Sequence, residues 1–223
     1  MSRARTTGIV LAGGRATRFG ADKLAVELDG RPLLHHAIGA VAEVADEIVV
    51  VVGADAPAPV VPPGLRVSAV IARDAVAGHG PLAGLAAGLA VAIHPRAILV
   101  GGDQPSLRPV LLRELLRRLD PGVGAPPDVV GLEDEGRLRP LPTALRVATV
   151  RPAADAALAS GARSLVGLFG RLRVAALTPE EWRVLDPAGD SLRDVDTRDD
   201  LPPGPDAGAA PRRPTAPPEG GPA

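Results

Sequence analysis

The 223-residue sequence contains no cysteine, so it can build neither a disulfide framework nor a thiolate metal site. Aromatic residues are nearly as scarce: Phe19, Phe169 and Trp182 are the full set. Single-stranded nucleic acids are held on aromatic stacking platforms, and three scattered rings do not supply one. The formal net charge of −1 leaves no overall basic field for a polyanion. The longest apolar stretch, Pro81 to Ile93, is too short to span a bilayer and runs directly into His94 and Arg96. Met1 to Thr7 carries two arginines with no apolar run of signal length behind them. The expectation is a cytoplasmic protein that binds neither nucleic acid nor membrane. Lysine is the last scarcity. Of 25 cationic side chains only Lys23 is not arginine.

Apolar residues make up 46% of the chain and charged residues 23%, enough for an ordinary core without covalent staples. Proline and glycine are unevenly spread. Pro202 to Ala223 holds eight prolines and four glycines with almost no aliphatic side chain, too little apolar surface to offset the entropy of ordering. The expected organisation is a flexible N-terminus over 1–7, one domain over 8–201 and a disordered tail over 202–223.

Within 8–201, short apolar runs alternate with helix-period segments. Ile9–Ala12, Ile48–Val52, Val67–Ile71, Ala97–Val100 and Val129–Leu132 read as strands. Helices are expected over Pro32–Val44 and Leu82–Ile93, the second with Gly84 and Gly88 on one face to admit close backbone packing. A further helix has Ser106 as a plausible N-cap, Pro109 in its first turn, and Leu107, Leu111, Leu115 and Leu119 four apart. Thr178-Pro179-Glu180-Glu181 has the form of a capping box with proline at the first helical position. Continuous apolar strands in βαβα order imply a mostly parallel sheet covered on both faces, a Rossmann-like three-layer α/β/α sandwich. Ligands of such sheets bind beyond the carboxyl ends of the strands.

The first strand runs into Gly13-Gly14-Arg15-Ala16-Thr17-Arg18-Phe19-Gly20-Ala21-Asp22-Lys23. Neither a Walker loop nor the dinucleotide fingerprint fits, because Gly-Lys-Ser/Thr is missing and the glycines fall at 13, 14 and 20. A glycine pair still lets the backbone approach an anion, although a tight turn would read the same way. The lone ammonium of Lys23, with Arg15 and Arg18 nearby, suits a triphosphate; a surface lysine placed by chance is the plainer alternative. Asp103, in Gly101-Gly102-Asp103-Gln104-Pro105, suits Mg²⁺, which binds through one or two carboxylates plus phosphates, and equally suits a turn before proline. Asp194 and Asp196 would share one face of a strand or cap a last helix. Asp74 precedes a second glycine-rich loop, Gly78-His79-Gly80-Pro81, at a helix start. His35, His36 and His94 lack metal-ligand spacing, and no nucleophile triad is visible.

Leu11-Ala12-Gly13-Gly14-x-x-x-Arg18-x-Gly20-x-Asp22-Lys23 resembles the signature loop of the molybdenum cofactor guanylyltransferases, nucleotidyltransferases with a Rossmann-like fold. Gly80-Pro81-Leu82-Ala83-Gly84-Leu85 is similar to that family's second loop, Asp103-Gln104-Pro105 to its Asp-x-Pro metal motif, and Gly136 to Leu141 to its pterin-side segment. Gly161 to Leu165 and Asp194 to Thr197 match later landmarks, so the likeness covers nearly all of 8–201 in order.

The resemblance implies transfer of GMP from GTP to the phosphate of molybdopterin carrying molybdenum, with pyrophosphate released and Mg²⁺ as cofactor. It assigns Leu11, Ala12, Gly13, Gly14, Lys23, Asp74, Gly80, Pro81 and Asp103 to the nucleotide, and Asp103 with Asp196 to the metal. Arg18 and Lys23 would stabilise the leaving pyrophosphate beside Asp103, while Arg137, Pro140 and Arg163 would face the acceptor. Transient contact with other cofactor-biosynthesis or recipient enzymes would follow from the product's use. Acidic residues at 194 and 196, where guanylyl members often carry Asn-x-Asn, also occur in cytidylyl relatives. The alternatives are thus a molybdopterin cytidylyltransferase, another small-acceptor nucleotidyltransferase, or a nucleotide-binding module without catalysis.

Overall fold

The computed structural model describes residues 4–13, 23–74, 80–120, 122, 124–197 and 200–201. Its centre is a seven-stranded sheet of β1 (Thr6–Leu11), β4 (Glu47–Val52), β5 (Ser68–Arg73), β6 (Arg96–Gly101), β7 (Val129–Asp134), β8 (Arg137–Arg146) and β9 (Val174–Leu177). Their order is β5-β4-β1-β6-β8-β7-β9, and a two-stranded ribbon of β2 (Glu27–Leu28) and β3 (Arg31–Pro32) stands apart.

The strands with unbroken apolar runs are the buried ones. Every residue of β4 and β6 is buried, as parallel strands covered on both faces require. Helices α1 (Leu33–Ala42), α3 (Pro109–Arg118) and α6 (Pro179–Arg183) close one face around Ile38, Leu111, Leu115 and Trp182. Helices α2 (Gly80–Val91), α4 (Val147–Ala159) and α5 (Leu165–Phe169) close the other around Ile9, Leu85, Ala154 and Phe169. These three layers are the expected sandwich. Gly84 and Gly88 have the expected reason: a Cβ on Gly88 would lie 2.7 Å from Ile9 Cγ2, and one on Gly84 would lie 3.0 Å from Leu11 Cδ2. Helix α2 therefore rides directly on β1.

Three expectations need correction. The chain is not loose up to residue 7: Thr6 and Thr7 are fully buried in β1, where the Thr6 N–H donates to Asp46 and the Thr7 hydroxyl to Glu47 Oε1 at 2.6 Å. Ser106 does not cap α3. Arg108 holds that position, and its N–H is taken by Ser191 Oγ, 83 residues away, so the cap is tertiary. Residues 194 and 196 lie in no strand. The sheet is mostly parallel, as expected; only β8 runs antiparallel, to both β6 and β7. Its turn is Glu135-Gly136, with φ of 49° and 72°, the two left-handed residues of a tight hairpin. The Thr178–Glu181 capping box forms as expected. The expected tail 202–223 lies outside the described residues.

Asp128 fastens the start of β7 to that of β9. Its carboxylate accepts the Arg173 backbone N–H at 3.1 Å, Nε at 3.0 Å and Nη2 at 2.8 Å. The Arg173 fork holds the Asp128 carboxyl at about 2, below its ordinary 3.8. A pKa depressed in the folded state gives stability that is complete above the unfolded value and lost as pH falls towards the folded one. Asp128→Asn should therefore melt below wild type at neutral pH. That gap should close between about pH 5 and pH 2 in thermal melts across the range.

Candidate active site

The order in which strands are added reverses at β1, which is parallel to both its neighbours. From β1 the chain moves outward to β4 and β5, then crosses back through α2 to place β6 on the other side of β1. A crevice beyond the strand ends is expected where the order reverses, here above Leu11 and Gly101. Backbone bonds hold its floor. Ala12 N donates to Val51 O at 2.7 Å and Gly102 N to Leu11 O at 2.9 Å, so residues 11–13 are threaded between the ends of β4 and β6. Of the first loop, Gly14 and Arg18 lie outside the described residues.

Lys23 opens a 3₁₀ turn over Lys23–Ala25 and reaches back into the crevice. Its Nζ stands 2.9 Å from Asp103 Oδ2 and 2.8 Å from Asp196 Oδ1, with the side chain 13% exposed. Burial alone would lower the Lys23 pKa. Its hydrogen bonds to Asp196 and Asp103, with their charges, outweigh that and raise it, so the ammonium stays charged. The three residues come from positions 80 and 173 apart in sequence. The expected lysine and both expected metal ligands thus meet at one point.

Two glycines shape the ground around Asp103. A Cβ on Gly102 would crowd Leu34 Cδ1 at 3.0 Å and Leu11 O at 3.1 Å. A Cβ on Gly101 would stand 2.4 Å from Asp103 Oδ1, a collision that only a moved carboxylate can relieve. Gly101→Ala should therefore cost catalysis more than fold. We expect turnover to fall by about 100-fold, as for a misplaced reacting group. The fall in melting temperature should stay within about 4 °C, near 1 kcal/mol for a domain of this size. Steady-state kinetics and a thermal melt on one preparation check both.

Asp196 is brought in by the extended stretch that follows the 3₁₀ turn Asp190–Leu192. Val195 is buried at 1% exposure, and its N–H donates to the Asp103 carbonyl at 3.0 Å. Asp194 and Asp196 flank that anchor. Burial pushes the Asp194 carboxyl above its ordinary value and the Asp103 charge adds to this, while Arg139 opposes it. The positive charge that Asp103 and Asp196 share is the Lys23 ammonium; no cluster of three acidic or histidine side chains among the described residues is placed to hold a metal ion by itself.

Asp74 follows β5, its N–H donating to Val52 O at 2.8 Å. It lines a groove of about 690 Å³ with Ala83, Ala86, Ala87, Asp155 and Arg163. Gly80 starts α2 with φ of 75°, and a Cβ there would lie 3.0 Å from the Arg163 carbonyl. Pro81 follows it in the first turn of α2. Arg163 therefore stands with Asp74 and Gly80, whereas Arg137 and Pro140 lie on β8. The exposed Arg137 pairs in register with Asp134, and the Pro140 carbonyl accepts the Thr143 hydroxyl at 2.7 Å. The residues expected to face an acceptor are thus divided between α2's flank and β8.

Sequence reasoning gave no role to Gln104, Ser191 or Asp186, all of which are buried. Asp186 accepts the Ser191 N–H at 2.8 Å and pairs with Arg108 Nε at 3.2 Å. Gln104 was visible as the middle residue of Asp103-Gln104-Pro105, but nothing local marks it as buried. Among the described residues no helix is long and apolar enough to cross a membrane.

A family model, the MobA-like NTP transferase domain, matches residues 8–175. A probable molybdenum cofactor guanylyltransferase of Chloroflexus aggregans is 31% identical over 198 residues, covering 87% of this chain and 91% of that protein. Among solved structures, molybdopterin-guanine dinucleotide biosynthesis protein A of Archaeoglobus fulgidus superposes with a TM-score of 0.69 at 20% identity, over 87% of this chain and 94% of its own. Rv0371c of Mycobacterium tuberculosis, solved in complex with manganese, superposes with a TM-score of 0.55 at 21% identity, over 88% of this chain and 95% of its own. At such identities the two structures speak for the fold.

Proposed function

Because the chain belongs to the MobA-like NTP transferase family, we propose that it is a molybdenum cofactor guanylyltransferase that moves GMP from GTP to the phosphate of molybdopterin carrying molybdenum. An acceptor phosphate oxygen attacks the α-phosphorus, the bond from that phosphorus to the bridging oxygen breaks, and pyrophosphate leaves with the bond's electron pair. The observation that carries this reading is the convergence of Lys23, Asp103 and Asp196 beyond the ends of β1 and β6.

Such a displacement needs positioning and charge neutralisation more than covalent help. Leu11, Ala12 and Gly13 hold the nucleotide through their backbone, at the point where the chain passes between β4 and β6. The first turn of α2 at Gly80 and Pro81 completes the cradle, Asp74 contacts the nucleotide from the end of β5, and the family resemblance assigns Gly14 to the nucleotide as well. Lys23, with Arg18, takes up charge developing on the pyrophosphate. The acceptor is met by Arg137 and Pro140 from β8 and by Arg163 from the other side, beside Asp74 and Gly80.

Asp103 and Asp196 offer only hard oxygen donors, and two carboxylates would hold a divalent cation only together with the nucleotide's phosphates and with the Lys23 ammonium drawn aside towards them; the manganese-bound neighbour supports such a cation. Mg²⁺, the cation that favours carboxylates together with phosphates, would neutralise the triphosphate there.

Thermal melts with Mg²⁺ plus GTP, CTP or ATP test the reading. A ligand at about a hundred times its Kd adds about 2.7 kcal/mol. For a domain of this size that is a rise of about 5–10 °C. We expect GTP to give the rise. A preference for CTP would favour a cytidylyltransferase, to which the acids at 194 and 196 also point. No rise with any nucleotide would overturn the assignment.

A further inference from the structure

Between Arg193 and Thr197 the chain forms no helix or strand, yet this stretch and the turn before it are tied down at close intervals. The Val195 N–H donates to Asp103 O at 3.0 Å, Arg139 Nη2 donates to Leu192 O at 3.0 Å, and Asp186 takes the Ser191 N–H at 2.8 Å. Gln104 joins this strap to the sheet from within. At 1% exposure, its Oε1 accepts the Gly101 N–H at 2.9 Å and its Nε2 donates to the Ser191 carbonyl at 3.5 Å.

We infer that Gln104 is a positioning residue for the transfer: its buried carboxamide fastens residues 190–196 to the end of β6 and thereby sets how Asp103 and Asp196 close around one cation. The inference rests on the transferase reading given above. Three physical points carry it. The carboxamide must accept and donate at once. Glutamine and asparagine do so with a planar group, an ionised glutamate only accepts, and methionine has no donor and at most a weak sulfur acceptor. The two groups it satisfies would otherwise be stranded, at a cost that forces local rearrangement. The rearrangement would fall on Gly101 and Ser191, the first being the residue whose missing Cβ leaves room for the Asp103 carboxylate. Gln104 touches no reacting atom, so its effect on rate passes through the carboxylates it spaces.

Gln104→Met in the full-length chain should lower kcat by about 30- to 100-fold, the scale of an ångström-sized misplacement. The KM for GTP should stay within about twofold, because residues 11–13 and 74 holding the nucleotide are left in place. Mn²⁺ affinity in the presence of GTP, read from the electron paramagnetic resonance signal of the free ion, should weaken by about tenfold, near 1.4 kcal/mol. Glu47→Gln, a buried change at the opposite ends of the strands, should lower the melting temperature without altering Mn²⁺ affinity. A purely structural role for Gln104 would behave as that control does.

The inference is overturned if Gln104→Met is folded and keeps kcat and Mn²⁺ affinity within about twofold of wild type, or raises KM alone. If Gln104→Met does not fold, Gln104→Glu preserves the volume and the acceptor for Gly101, and the same two readouts decide. A wild type that turns over GTP while the variants match it sinks the inference and leaves the transferase reading standing. A wild type that neither turns over GTP nor takes up Mn²⁺ overturns that reading, and the inference loses its premise with it.

Discussion

Asp103→Asn should lower kcat by about a thousandfold while the protein keeps its fold. In the proposed site the change would remove one of the two carboxylates assigned to the divalent cation and leave Asp196 alone to hold it. Loss of about 4 kcal/mol of transition-state stabilisation corresponds to that factor, and it is the scale expected of a carboxylate whose cation neutralises a reacting phosphate. Stability should respond far less. The Asp103 side chain is 31% exposed, Lys23 keeps its bond to Asp196, and the Asp103 carbonyl that anchors Val195 belongs to the backbone. Such partly exposed pairs contribute about 1 kcal/mol or less. The substitution also relieves Asp194 of a negative neighbour. Single-turnover kinetics with GTP, beside a thermal melt, separate the two effects, and turnover that survived the change would remove Asp103 from the mechanism.

Lys23→Ala should be more damaging to kcat/KM, with a loss of about a thousandfold or more for GTP, since it touches binding and rate together. The ammonium is nearly enclosed, is kept charged by both carboxylates, and has no other lysine to replace it. Without it Asp103, Asp194 and Asp196 share their region with no ammonium between them, so the melting temperature should fall as well. Lys23→Arg should not restore activity, because the broader guanidinium can pair with the carboxylates but does not fit the nearly enclosed place of the compact ammonium or present a point charge to the phosphates. A lysine placed at the surface by chance would change neither kinetics nor stability when removed. Kinetics and melts on the two variants together decide between these outcomes.

These two residues also mark the boundary of what local pattern can reveal. Both were legible as chemistry: one ammonium in an arginine-rich chain, and one carboxylate after a strand ending in two glycines. Their partner Asp196 was legible only as an acid with several uses. Its meeting with Lys23 joins residues 173 apart, a distance that periodicity over a few residues does not reach.

Elements written in short range were determined by the sequence itself. The run Glu47–Val52 is wholly apolar after its first residue and forms a buried strand; Thr178 and Glu181 sit three apart and cap each other. Gly84 and Gly88 lie one helical turn apart and meet β1 because two missing Cβ atoms on one face leave room for it. Such features depend on neighbours within about four residues or on a repeat that any strand or helix must obey.

Only the tertiary structure decided the rest. It replaced Ser106 with a cap from Ser191, turned β8 antiparallel through Glu135-Gly136, and moved Arg163 to the side of Asp74. It also buried Gln104 between the end of β6 and a strap from the far end of the domain. Each depends on which strands become neighbours. The order β5-β4-β1-β6-β8-β7-β9 arises from burying two apolar faces at once over the whole chain, so it sets distances between residues that share no local pattern.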